Sequence, residues 1–179
     1  MAGVVHGGRL DAAIAIHGGT PEDWIDLSTG INPHAYAVSE LDDRVWQRLP
    51  DEHAHRKLED AARQYYLVGK SSSLVAANGT QAIIQTLPQL ISSKSVGIVS
   101  PTYGEHEYCW RNSGAAVELY NSMSEALGKS DVVVVVNPNN PDGRTYRQDQ
   151  LKEAAGILAS RNGFLIVDEA FGDVMPELS

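Results

Sequence analysis

Residues 131–143 read Asp-Val-Val-Val-Val-Val-Asn-Pro-Asn-Asn-Pro-Asp-Gly. Five consecutive valines leave no face for water. β-branched side chains favour extended backbone, and successive strand residues point to opposite faces, so an unbroken apolar run predicts a strand buried on both sides. The residues after it stop the strand, because proline lacks an N–H and Asn, Asp and Gly supply turn geometry. A strand covered on both faces belongs to a largely parallel sheet flanked by helices.

Working outward, the same alternation recurs. β-rich runs lie at 73–77 (SLVAA), 95–100 (SVGIVS), 115–120 (AAVELY) and 164–168 (FLIVD), with helical stretches at 80–91, 104–114 and 146–163 between them. The last of these sets Leu151, Ala154, Ala155 and Leu158 on one face and has Gly163 just past its end. Residues 1–50 are rich in Gly, His, Asp and Pro and read as an arm with one helix, capped by Ser39 with Asp42 in a capping box and stopped by Pro50. A second helix is expected after Asp51, its cap, with Leu58, Ala62 and Tyr65 on one face. His53 and His55 stand two apart at its start and do not share a helix face, which argues against a metal site there.

The chain carries 14 Lys+Arg against 23 Asp+Glu in 179 residues, a formal net charge of −9. Scattered cations in an acidic chain argue against nucleic acid and against an anionic membrane surface as partners. With 42% hydrophobic and 21% charged residues there is material for a packed core. No stretch approaches the ~20 apolar residues of a membrane helix, and the N-terminus lacks the basic head and cleavage pattern of a secretory signal. The single Cys109 excludes an internal disulfide and a cysteine-based zinc site, suits a reducing cytoplasm, and is expected to be an ordinary packed residue.

In open α/β sheets ligands gather at the carboxyl ends of strands, and four such ends here carry polar groups. Asn78-Gly79-Thr80-Gln81 opens a helix whose free N–H groups and positive dipole end suit a phosphate; equally, Thr80 could only cap that helix. Tyr103, after the second run, could lie against a planar ring or pack as core. The two asparagines between Pro138 and Pro141 make a stiff mount for an amide, although turn chemistry accounts for most of that composition. Asp168 ends an apolar strand and needs a partner, since an unpaired buried carboxylate is costly.

Taken in order, NGTQ (78–81), PTYGEH (101–106), NPNNPDG (137–143) and VDEAF (167–171) resemble the large domain of the aspartate-aminotransferase fold, that of the fold-type I pyridoxal-phosphate enzymes. The resemblance implies a mostly parallel sheet with flanking helices, incomplete at the C-terminus. It implies an arm and part of the small domain at 1–50 and the cofactor-binding large domain at 51–179. It further implies that the backbone of Gly79, Thr80 and Gln81 holds the phosphate of pyridoxal 5'-phosphate, that Tyr103 stacks on the ring, that Asn140 donates to the ring's phenolic oxygen, and that Asp168 pairs with the protonated ring nitrogen. A carboxylate beside the pyridinium keeps it protonated and electron-withdrawing.

His6-Gly7-Gly8, the stretch from Asp26 to Pro33 (DLSTGINP) and the stretch from Asp168 to Asp173 (DEAFGD) narrow the likeness to the threonine-phosphate decarboxylase branch of cobalamin biosynthesis, which is similar to histidinol-phosphate aminotransferases. In that branch L-threonine O-3-phosphate loses CO2 to give aminopropanol phosphate. The resemblance places Gly30 to Asn32 beside this small phosphorylated substrate and brings His6 to its phosphate; as alternatives, His6 is an arm residue and Asn32-Pro33 only a turn. It also implies a homodimer for the full-length family. Phe171 and Leu49 stand where the histidinol-phosphate enzymes have tyrosines. The family's Schiff-base lysine follows the Asp168 motif, whereas Lys57, Lys70, Lys94, Lys129 and Lys152 all precede it, so no catalytic residue is assigned here. The alternatives to a decarboxylase are a histidinol-phosphate-type aminotransferase and a non-catalytic piece of the same fold.

Overall fold

The computed structural model describes residues 6–32, 34–92 and 95–178. They divide into two compact units that part between Ala76 and Ala77.

The first unit holds three helices, α1 (Leu10–His17), α2 (Arg44–Gln47) and α3 (Glu52–Tyr65), with one 3-10 turn at Pro21–Asp23. The arm therefore has a helix, α1, that the sequence reading did not anticipate. Helix α2 is a single turn and the Ser39 box does not form. Asp42 instead accepts from the Arg44 backbone N–H at 2.9 Å and grips the Arg44 guanidinium at 2.6 Å, the local side-chain bonding by which Asp competes with helix. Helix α3 starts as expected, with Asp51 accepting from the Ala54 N–H at 2.9 Å. Leu58 and Tyr65 on its apolar face remain exposed. Arg63 closes the following loop, donating to the carbonyls of Gly69 and Ser72 at 3.0 and 3.1 Å.

The second unit is the α/β sheet. Helix α4 (Thr80–Leu90) leads into β1 (Ser95–Val99), then α5 (Gly104–Asn112), β2 (Ala116–Tyr120), α6 (Met123–Leu127), β3 (Val132–Val136), α7 (Gln148–Ala159) and β4 (Phe164–Asp168). All pairings are parallel, in the order β2-β1-β3-β4, with Val96 opposite Val132 and Val136 opposite Asp168. The valines of β3 are 0–4% exposed and divide by parity. Val133 and Val135 join Val99, Met123, Ala126, Ala154 and Leu158 on the face covered by α6 and α7; Val132 and Val134 join Val96, Ile98, Val117 and Trp110 of α5 on the other. The run is all apolar because each face has its own helical layer.

Residues 73–77 do not form the expected strand. No strand among the described residues pairs with them, and Val75 is 81% exposed. β-propensity without a ladder partner does not hold extended backbone.

Candidate functional site

The strand order sets the site. From β1 the chain moves outward to β2 through α5 on one face, then returns past β1 to β3 through α6 on the other. The carboxyl ends of β1 and β3 therefore flank the point where the winding reverses, the crevice in which such sheets bind ligands. Loop 100–103 leaves β1 there, loop 137–143 leaves β3, and Asp168 ends β4 next to it.

Helix α5 presents its buried residues Glu105, His106, Cys109 and Trp110 to the sheet and crevice. His106 Nε2 lies 2.9 Å from Asp168 Oδ2, both side chains being nearly inaccessible at 4% and 8%. The Ala170 N–H donates to Asp168 Oδ1 at 3.0 Å. Burial is the largest single influence on this carboxyl and pushes its pKa up, but the hydrogen bonds from His106 and Ala170 and the His106 charge outweigh it, so Asp168 is held below the ordinary aspartate value. The partner that Asp168 required is thus supplied by the chain itself. Each of its oxygens keeps a further lone pair.

Tyr103 directs its ring edge-on to His106, with centroids 6.3 Å apart at 85°. Its hydroxyl donates to Gln81 Oε1 at 3.2 Å, and Gln81 Nε2 donates to Glu105 Oε2 at 2.9 Å. Burial, followed by the charges of Glu105 and Asp168, raises the Tyr103 pKa, so the phenol stays protonated and donating. Burial likewise raises the pKa of Cys109, which is packed inside α5.

Gly79 caps α4 at φ 81° with open space where a Cβ would stand, and no side chain caps the helix. Thr80 is the first helical residue rather than the cap, which leaves the Thr80 and Gln81 N–H groups available to an anion, while the Ala82 N–H donates to the Gly79 carbonyl at 3.2 Å and the Gly79 N–H to the Ala77 carbonyl at 2.8 Å. Asn140 is exposed on its turn, whereas Asn139 is buried. Gln81, Tyr103, Asp168 and the loop carrying Asn140 therefore gather in one unit.

His6, Gly30 and Asn32 lie in the other unit, all exposed. Their two stretches meet: the Gly8 N–H donates to Ser28 Oγ at 2.8 Å, and Ser28 is itself held by Asp26 at 2.6 Å. A Cβ on Gly7 would stand 2.0 Å from the Ser28 carbonyl oxygen, so only glycine fits there. Asn32 accepts from the His34 N–H at 2.9 Å, the local turn that was one reading of it. Pro33 and Lys94 lie outside the described residues.

Sequence reasoning missed His106, Asn139 and the side-chain role of Gln81. For His106 the sequence shows only a histidine one helical turn after Tyr103; that this turn faces the strand end carrying the buried acid comes from the fold.

The profile described as aminotransferase class I and II matches residues 22–179. The chain belongs to that family. It is 42% identical over 99% of its length to a threonine-phosphate decarboxylase of a Sinorhizobium species, covering 54% of that protein. It is 30% identical over 83% of its length to a histidinol-phosphate aminotransferase of Mycolicibacterium smegmatis, covering 80% of it. Among solved structures, a histidinol-phosphate aminotransferase from Sinorhizobium meliloti in complex with pyridoxal-5'-phosphate superposes with a TM-score of 0.59 over 69% of this chain and 37% of that one, at 17% identity, a likeness of fold. The chain spans about half the length of the threonine-phosphate decarboxylases it matches. Its sheet is thus the α/β architecture of this family, incomplete relative to the full-length relatives. Among the described residues no helix is long and apolar enough to cross a membrane.

Proposed function

We propose that this chain supplies the cofactor-binding part of a pyridoxal-phosphate enzyme most like threonine-phosphate decarboxylase. The observation that carries the reading is the buried Asp168–His106 pair, held in the same strand-end crevice as Tyr103 and the uncapped start of α4. These residues fit the cofactor. The free Thr80 and Gln81 N–H groups, beside the open space at Gly79, suit its phosphate, while the Gly79 N–H itself donates to the Ala77 carbonyl at 2.8 Å; the Tyr103 ring suits its pyridine face, the exposed Asn140 amide its phenolic oxygen, and the anionic Asp168 its ring nitrogen. Pyridoxal phosphate, when bound, supplies the electron sink for breaking a bond at the substrate α-carbon.

The chain's own contribution is to bind and polarise. His106 keeps Asp168 ionised and oriented so that a proton stays on the ring nitrogen, and Gln81 with Glu105 holds the Tyr103 hydroxyl so that the ring keeps one plane. The 42% identity to a threonine-phosphate decarboxylase supports L-threonine O-3-phosphate as substrate, with His6 and the Gly30 to Asn32 segment bordering it. Histidinol-phosphate-type transamination is the second reading, supported by the 30% relative and opposed by Phe171. We place 1–50 as arm and small-domain residues and 51–179 as large domain, in a cytoplasmic enzyme whose full-length form is a homodimer. The Schiff-base lysine is not among Lys57, Lys70, Lys94, Lys129 and Lys152.

Pyridoxamine 5'-phosphate tests the site, because it lacks the aldehyde that attaches pyridoxal phosphate to any surface lysine. Fluorescence titration should give saturable one-to-one binding, with affinity falling on the order of tenfold or more in Asp168→Asn, which removes the anion beside the ring nitrogen. Equal affinity in the two proteins would contradict the assignment of Asp168.

A further inference from the structure

Thr102 and Asn139 bridge the two loops at the switch point, and the cofactor reading gives them no task. Asn139 is 7% exposed, and both N–H groups and the oxygen of its amide are engaged. Oδ1 accepts from Thr102 Oγ1 at 2.6 Å, and Nδ2 donates to the Pro101 carbonyl at 2.9 Å and to Asp142 Oδ1 at 2.6 Å. Its backbone N–H donates to the Arg144 carbonyl and its carbonyl accepts from the Gly143 N–H, each at 2.8 Å. An asparagine serving only its own turn would bond within that turn. Here two of three side-chain bonds cross to the loop leaving β1, and they grip two consecutive residues, which fixes rotation as well as distance.

We infer that Asn139 is a positioning residue, clamping loop 100–103 to loop 137–143 so that Tyr103 and Asn140 stand at the separation a pyridine ring requires. The inference rests on the reading above that Tyr103 and Asn140 meet the ring. Each side of the clamp adjoins one of those contacts, Thr102 preceding Tyr103 and Asn139 preceding Asn140. The amide's orientation is fixed by its acceptors, since a carbonyl and a carboxylate both need its N–H groups and only Oδ1 is left for the Thr102 hydroxyl. Arg144 steadies the outer arm with a 2.7 Å ion pair to Asp142. The Asn139 hydrogen bond, followed by those from the Arg144 backbone and side chain, holds the Asp142 carboxyl down at about 2, so it is an acceptor throughout the neutral range. Aspartate at 139 would lose both donors and face Asp142 with like charge.

The test compares wild type, Thr102→Val and Thr102→Ser as full chains, titrated with pyridoxamine 5'-phosphate by fluorescence and with inorganic phosphate by 31P NMR. Valine keeps the shape of threonine but leaves buried Oδ1 without its donor; serine restores the hydroxyl. The expected result is about a tenfold loss of pyridoxamine phosphate affinity in Thr102→Val, unchanged phosphate binding, and wild-type behaviour in Thr102→Ser. Should Thr102→Val not fold, Thr102→Ala, which also removes the hydroxyl that donates to Asn139 Oδ1, carries the same comparison. Unchanged pyridoxamine phosphate affinity in the clamp variant overturns the proposal, and so does an equal loss for both ligands, which is general loosening. A wild type that binds no pyridoxamine phosphate overturns the cofactor reading and this proposal with it.

Discussion

The most constrained residue in the crevice is Asp168, a carboxylate 8% exposed at the end of an apolar strand. Breaking a buried pair by removing one partner leaves an uncompensated charge, so His106→Leu should destabilise the fold by about 3 kcal/mol at neutral pH, measured by urea unfolding. The pH dependence has a definite sign. In wild type the folded pKa of Asp168 lies below the ordinary 3.8, so its contribution is present above that value and is lost as pH falls through the lowered one. In His106→Leu only the Ala170 N–H is left to oppose burial, the largest influence, so the folded pKa rises and the penalty should shrink as pH falls toward 4; a penalty that does not change with pH would mean that His106 acts by packing rather than through the carboxylate. Asp168 was legible in the sequence as an acid needing a partner. Its partner on the chain was not, because no periodicity relates α5 to β4 and only the fold brings residues 62 apart to 2.9 Å.

At the scale of elements, the four strands that form were readable because each is a short run carrying β-branched or aromatic residues and bounded by turn residues, and β3 reported two buried faces directly. Residues 73–77 show the limit of that reading. Their composition is as strand-like as that of β2, but composition cannot say whether a neighbour is there to pair with. Helix α1 went unread because its surroundings are rich in glycine, and α2 is one turn, the shorter of the one or two turns expected, starting after Asp42, which bonds Arg44. Gly97, in the middle of β1, is a packing requirement. A Cβ there would meet Ser130 Oγ at 2.6 Å, Tyr120 Cε2 at 3.0 Å and Ala126 Cβ at 3.1 Å, so α6 reaches the sheet only over a glycine. Gly97→Ala should therefore cost about 1–3 kcal/mol, seen as a lowered thermal midpoint, whereas Gly156→Ala in α7, with open space around it, should leave the midpoint unchanged or raise it.

For the whole molecule, topology does what no single motif could. The β2-β1-β3-β4 order puts the ends of β1 and β3 on either side of the winding reversal, and the segments NGTQ, PTYGEH, NPNNPDG and VDEAF, each modest alone, become the linings of one crevice. The acidic net charge of −9 does not oppose a phosphorylated ligand, because recognition there depends on local N–H groups at a helix start. A second cleft, lined by Ile91, Asp131, Arg161 and Phe164, lies at the opposite, amino-terminal edge of β3 and β4 and offers a built-in control. The central claim, that the switch-point crevice is the cofactor site, is tested most directly by following backbone amide NMR shifts during a pyridoxamine 5'-phosphate titration. The account predicts saturable shifts concentrated at Gly79 to Gln81, Tyr103, Asn140 and Asp168 to Ala170. Shifts centred instead on Asp131, Arg161 and Phe164, or none that saturate, would contradict it.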